Sequence, residues 1–260
     1  MAAFSVAQKC KVLVAGLVMA SGFGVVPSLL AESSLTALPV SFSSTVDSAH
    51  AHVGDVVLAR TMQDVTLPDG TLVKKGRRVE GHIVAARGFS LNPARWAEQD
   101  PAALTLSFDR IAVGKQLRLI ASRIRALAAA AEVKEAESVN YGNEMDTEGH
   151  LTLIGGLRYS PWQQRIATPE GRTVAYQSSR GVVAHLDAVE TTVHGMALHC
   201  SASSQENATA VFSGQACGLY GFGENYLAED GSRGLIALRS QVGDIRLYCG
   251  SAALLEVSAE

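Results

Sequence analysis

Three histidines and one glutamate carry the metal-ligating chemistry that can be read from this 260-residue chain. His50 and His52 are one residue apart, so on an extended strand both imidazoles would project from one face. His82, with Glu80 two residues before it, would add donors from a neighbouring strand. Nitrogen and carboxylate donors in that number suit a hydrolytic zinc, which takes three protein ligands and a water. The competing reading makes residues 48–53 an exposed loop and puts His82 on the wet face of its strand. Asp109, Glu80 and His82 form a second, scattered acid/base set. Gln215-Ala216-Cys217-Gly218 approaches the Q-A-C-x-G nucleophile signature of caspases, in which a histidine about 50 residues upstream activates the thiol. Here Leu219 stands where that signature needs glycine, and His185, His194 and His199 are too near in sequence. Glu144, Asp146, Glu148 and Gly149 imitate the first half of a calcium loop, but its twelfth position is Gly155 rather than a bidentate glutamate. The chain contains no G-x-S-x-G, P-loop, H-E-x-x-H or paired C-x-x-C motif. The expectation is no catalytic residue and no cofactor, with His50, His52, His82 and Glu80 as the metal candidates.

The N-terminus bears on the redox setting. Lys9 and Lys11 precede an apolar run over 12–31, and no acidic residue comes before Glu32. That pattern is a secretory signal peptide cleaved after Ala31, with Ala20 and Gly24 as other boundaries and an uncleaved anchor as the alternative. Cys10 lies before the run, where lipid attachment is not expected. An exported chain, periplasmic or extracellular, is disulfide-permissive. Cys200 and Cys217 flank a polar loop and are the expected pair. Cys249 is expected to be free and buried beside Ile245 and Leu247, and Cys217 to Cys249 is the rival pairing. The formal charge of −3 and pI near 6.2 leave no basic excess for nucleic acid.

The elements around these residues read as strands. In 54–85, Val57, Ala59, Thr61, Gln63, Val65 and Leu67 share one side of an extended chain, Pro68-Asp69-Gly70 supplies a tight turn, and Gly76 and Gly81 suggest bends or bulges. Leu104, Leu106 and Phe108 alternate with Thr105, Ser107 and Asp109, and after a turn Leu117, Leu119 and Ala121 resume the pattern, making a second hairpin. Residues 94–99 allow one helical turn. Arg118, Arg123 and Arg125 read as a solvated basic face. The alanine-rich 126–137 is a short helix or a connector. Trp162 with Tyr159 is either an aromatic binding patch or, the commoner use, a buried anchor. Asn207-Ala208-Thr209 matches a glycosylation acceptor. The fold expected is mainly all-β: a signal peptide (1–31), an antiparallel barrel- or sandwich-like unit (32–125), a linker or short helix (126–150) and a second such unit with the disulfide (151–260).

Gly54-Asp55, Val57, Ala59, Gly70, Val73, Lys75-Gly76, Val79 and Gly81 resemble the β-barrel core of TrbI/VirB10-type envelope proteins of conjugation systems, over about 35 residues. That likeness implies a small periplasmic barrel or sandwich. Phe212-Ser213, residues 216–222, Gly234 to Leu238 and Gly250-Ser251-Ala252, taken with 54–85 and 104–127, resemble a family of exported proteins of Acidobacteria. This second likeness implies a compartment and an architecture and assigns no activity. The functional expectation is an exported, non-catalytic module that binds an envelope protein or a glycan, meeting the membrane only if the signal segment stays uncleaved. The alternatives are a metal-dependent hydrolase at His50, His52 and His82, or a component of an envelope transport assembly.

Overall fold

The structure is a computed structural model, and it describes residues 35–91, 99–143, 145–193, 196–223, 226–230 and 236–258. The signal segment with Cys10, most of the helical turn expected at 94–99, Glu144 and His194 lie outside the described residues. Ser33–Glu260 forms one compact unit. Its first half contains β1 (Leu35–Phe42), β2 (Val46–Asp47), β3 (Val56–Thr61), β4 (Val65–Thr66), β5 (Leu72–Val73), β6 (Arg78–Arg87), β7 (Ala102–Val113), β8 (Gln116–Leu119), β9 (Ala121–Ala128) and the helix α1 (Ala130–Ala136). Then come β10 (Leu151–Leu153), β11 (Leu157–Tyr159), β12 (Arg165–Ala167), β13 (Thr173–Ser178), β14 (Gly181–Leu186), β15 (Val189–Val193), β16 (Met196–Cys200) and β17 (Ser203–Ala208). The chain finishes with β18 (Gly218–Tyr220), β19 (Tyr226–Asp230), β20 (Ile236–Ser240), β21 (Arg246–Leu247) and β22 (Ala252–Ser258). Among the described residues no helix is long and apolar enough to cross a membrane.

The fold is mostly β, as the alternation predicts, and its large sheet runs β18-β9-β22-β1-β3-β6-β7-β20-β19. The sheet is mixed, because β18 lies parallel to β9. It does not close into a barrel. Instead β8 pairs with β7 while β9, next in the chain, pairs with β22, so this bent arm folds the sheet back over its own core. Phe42 and Phe108 meet there edge to face at 5.7 Å, a geometry that aromatic quadrupoles favour. The six residues from Val57 to Leu67 expected on one side are all buried. β3 pairs with β6, and beyond them the smaller β4–β5 pair carries the Pro68-Asp69-Gly70 turn at its tip. A bulge sits at Glu80/Gly81. A Cβ at Gly81 would lie 2.0 Å from the Ser107 carbonyl, so no other residue fits this approach of two backbones.

The separation into two units does not appear in the strand pairing. β22, from the end of the chain, lies between β9 and β1, and β20 pairs with β7. The edges of the first hairpins are completed by strands more than 100 residues away, which local periodicity does not reveal. Of the two readings of the alanine-rich stretch, the short helix is the one found, as α1 after the end of β9. Ala126, Leu127 and Ala128 end β9 with both faces buried, where small side chains let two cores approach one strand. Val133 and Ala136 of α1 pack into the second of those cores. Residues 151–208 keep a small core of their own around Leu153, Tyr159, Ile166, Ala175, Val182 and Ala184, beneath the four-stranded sheet β12-β13-β14-β17. β8 departs from expectation differently: Leu117 and Leu119 are exposed along with Arg118.

Candidate functional site

The four metal candidates do not converge. His50 lies in a turn rather than on a strand and pairs with Asp47 at 3.5 Å, and His52 pairs with Asp55 at 3.6 Å. On the outer face of β6–β7, His82 Nδ1 stands 3.1 Å from Asp109 Oδ2. Glu80 is 6% exposed, covered by the guanidinium groups of Arg78 and Arg110. Arg110 also approaches Asp109 at 3.8 Å, so Arg78, Glu80, Arg110 and Asp109 form one chain of alternating charge along the sheet face, with His82 beside Asp109 at its end. The acid/base set is therefore an ion-pair ladder on an open strand surface. Among the described residues no three His, Cys, Asp or Glu side chains gather as a metal group. Of the calcium-like acids, Asp146 turns into its own loop, accepting from the Gly142 and Gly149 amides at 3.2 and 3.0 Å and meeting His150 at 3.0 Å. Those amides, the Gly142 one first, hold its carboxyl below the usual range despite partial burial.

Cys200 and Cys217 are bonded, with Cα atoms 6.1 Å apart, so Cys217 has no thiolate to offer a caspase-like reaction. Cys249 is free and, contrary to the expected burial, exposed, because β21 ends at Leu247 and the chain turns there. Asn207 is no glycosylation acceptor: it is buried, its Oδ1 accepts the Ala37 amide at 2.7 Å, and its amide nitrogen donates to Ser203 Oγ and the Gln205 carbonyl.

The basic stripe divides into three roles. Arg118 reaches Asp69 at 2.7 Å across the surface, and Arg123 bonds Glu256 at 3.0 Å through Nε. Arg125, read from sequence as solvated, is 1% exposed and among the largest fully buried side chains. Leu254 pairs with Ala126 and Leu255 with Ile124, so Arg125 is the extra residue of a β-bulge, a device that re-aims a side chain. The bulge also explains how Ile124 and Leu127, three apart, face the same core. All five Arg125 N–H groups have acceptors. Nε donates to the Ala216 carbonyl at 2.8 Å, Nη1 to Ser201 O at 2.5 Å and Glu256 Oε1 at 2.9 Å, and Nη2 to Asp187 O at 2.6 Å and Gly214 O at 2.9 Å. Burial pulls the guanidinium below its ordinary pKa and Glu256 opposes that shift. Two of the carbonyls belong to Ser201 and Ala216, the chain neighbours of Cys200 and Cys217. The disulfide and the arginine thus clamp the same two segments, one covalently and one by charge-assisted hydrogen bonds. Tyr220 closes the arrangement, accepting the Cys217 amide at 3.0 Å and donating to its carbonyl at 3.2 Å.

Beside this scaffold lies the larger candidate site, a cleft of about 780 Å³ where the β3–β4 bend meets α1 and the β13–β14 turn. Arg60, Lys75 and Arg180 supply positive charge, Asp64 and Glu137 negative charge, and Tyr159 and Gln177 uncharged polar groups. A second hollow of about 440 Å³ shares Gln63, Asp64 and Arg180 with it. Gln63 is buried between the sheet and the turn: its Oε1 accepts the Ala210 amide at 2.9 Å and its side chain packs on Gly181. Ala210 has φ 52°, a left-handed conformation costly for a residue with a Cβ, and the Gln63 bond holds it there. Asp64 accepts from Lys74 Nζ and the Lys75 amide, both at 2.9 Å, and these bonds, the amide first, lower its pKa. The guanidinium groups and hydrogen-bonding side chains suit reversible recognition of a polar, partly anionic ligand. Comparison of the chain with protein-family models, curated proteins and solved structures found no match in any of the three.

A third cleft, of about 590 Å³, lies next to the Pro161–Trp162 turn. Trp162 is no buried anchor: it is 80% exposed, whereas its sequence partner Tyr159 is buried and faces Gln177. Burial raises the Tyr159 pKa.

Proposed function

We propose that the protein is an exported, non-catalytic β-rich module that holds a polar ligand with acidic groups in the cleft formed by Arg60, Gln63, Asp64, Lys75 and Arg180. The observation that carries the reading is the convergence on that cleft of three cations from separate parts of the chain, above a floor fixed by buried Gln63. The disulfide supports export, since such bonds persist in oxidising compartments. A ligand bound mainly by exposed guanidinium and ammonium groups is held more weakly as salt rises. The test is amide chemical-shift mapping with hexaglutamate and trigalacturonate as probes. Shifts centred on residues 60–64, 75 and 177–181 that Arg180→Ala abolishes are expected. Shifts confined to other surfaces, or none at millimolar probe, would sink the reading.

A further inference from the structure

We propose a second binding site, for a neutral glycan, at the cleft beside Trp162. An indole this exposed is a standing apolar surface, and the turn that carries it is tied at both ends. Pro161 fixes one turn dihedral, the Gln163 amide donates to the Ser160 carbonyl at 3.0 Å, and Gln163 Oε1 accepts the Ser160 amide at 3.2 Å. An aromatic plate on a fixed turn gives contact area with few side-chain torsions to order. Trp162 stands at the rim, between Ser160 and Gln163, which line the adjoining cleft together with the polar Glu148, His150 and Arg158. Asp146 holds the His150 ring through Nδ1.

A second, independent observation lies in the same wall. The Ser160 hydroxyl is buried and has no hydrogen-bond partner, a costly condition that calls for an explanation. Ser160 is in the cleft wall, and a change of its χ1 rotamer is the route by which a ligand hydroxyl would satisfy it.

A pyranose ring matches both features. Its C–H face is apolar and flat enough to stack on an indole, while its equatorial hydroxyls both donate and accept. Arg158 offers only donors, Glu148 only acceptors, and Gln163 and Ser160 both. An apolar peptide would match the indole and leave this wall unpaired, whereas a polyanion would match Arg158 and meet Glu148. A neutral sugar chain reaching from the indole into the cleft would use both, and its binding is insensitive to salt, unlike that expected at Arg180.

The experiment is calorimetric titration of the full chain with chitohexaose, cellohexaose and mannohexaose, in parallel with hexaglutamate. At least one hexasaccharide is expected to bind. Trp162→Ala should weaken it about tenfold or more, Ser160→Ala should weaken it less, and Arg180→Ala should leave it unchanged. Because Trp162 is exposed, its removal should leave the melting temperature in place, which circular dichroism checks. Failure of all three sugars to bind, or equal affinity in Trp162→Ala, overturns the glycan site. Loss of hexaglutamate binding alone would count against the Arg180 cleft and leave this site standing.

Discussion

Replacing Arg125 by methionine keeps an unbranched apolar stem, though a shorter one, and removes all five donors. Glu256, 3% exposed, then faces Arg123 and the Ser201 amide, and four carbonyls each lose a hydrogen bond, that of Gly214 keeping the Asp187 amide. Removing one partner of a buried pair costs about 3–5 kcal/mol, and carbonyls that water cannot reach add about 1–3 kcal/mol each. Taking only the first contribution, at about 2–4 °C per kcal/mol for a domain of this size, the melting temperature should fall by roughly 6–20 °C. The double variant Arg125→Met/Glu256→Leu separates the causes. For a simple buried ion pair, apolar replacement of both partners is often neutral or stabilising. Here the carbonyls of Asp187, Ser201 and Ala216 remain without the donor Arg125 gave them, while that of Gly214 keeps the Asp187 amide at 3.1 Å, so the double variant should recover part of the loss and stay about 2 kcal/mol or more below the parent. The assay is thermal and urea unfolding of the oxidised protein followed by far-ultraviolet circular dichroism. A fall of less than about 2 °C in Arg125→Met, or a double variant as stable as the parent, would refute the clamp.

Two further outcomes follow from the cysteines and from Asp69. Cys200→Ser/Cys217→Ser should lose about 3 kcal/mol on chain-entropy grounds. Protein lacking residues 1–31 should titrate one thiol, and Cys249, being exposed, should react without denaturant; three thiols, or a Cys249 that reacts only after unfolding, would contradict the structure. Asp69 is held down to about 2, first by the Thr71 amide, then by the Thr71 hydroxyl and Arg118. Its folded pKa lies below the unfolded value, so its contribution to the β4–β5 tip is complete above the unfolded pKa near 3.8 and is lost as pH falls towards 2. Carboxyl carbon-13 titration checks this, and a midpoint near 3.8 would contradict it.

Much of the strand content was legible because one-sided burial imposes period two: Leu104, Leu106 and Phe108 are buried as their alternation predicts. The partners of those strands were not legible, since β22 closing onto β1 and β9 leaves no local mark. Arg125 was misread for a related reason. Four of its five acceptors are backbone carbonyls, which have no residue signature, and they lie 62 to 91 positions away. One signal did exist. Arg125 stands directly before the apolar run Ala126-Leu127-Ala128, and Glu256 stands inside 252–257, AALLEV. Opposite charges set in two fully apolar strand runs have no solvent to reach, and pairing with each other is the arrangement that avoids an isolated buried charge. Trp162 was misjudged because burial is the usual fate of tryptophan, and sequence alone did not place it on the tip of a short turn.

The clamp also bears on why both proposed sites can be rigid on a lobe with so small a core. Residues 151–208 have only a modest apolar cluster of their own, beyond Ile154 and Leu186 in the second core and Leu198 and Cys200 in the first, and by itself that cluster would leave the lobe near the low end of local stability. Arg125 and the disulfide, however, hold it at points within and just after it: Asp187 after β14, Ser201 after β16, and Gly214 and Ala216 before β18. Fixing a lobe at its chain crossings removes conformations that its own core is too small to exclude. The Tyr159–Gln177 contact and the Gly181 turn over Gln63, which line the main cleft, therefore inherit order from a bulged strand in the other half of the molecule. On this logic Arg125 is a positioning residue for recognition as well as a stabiliser, although it touches neither cleft.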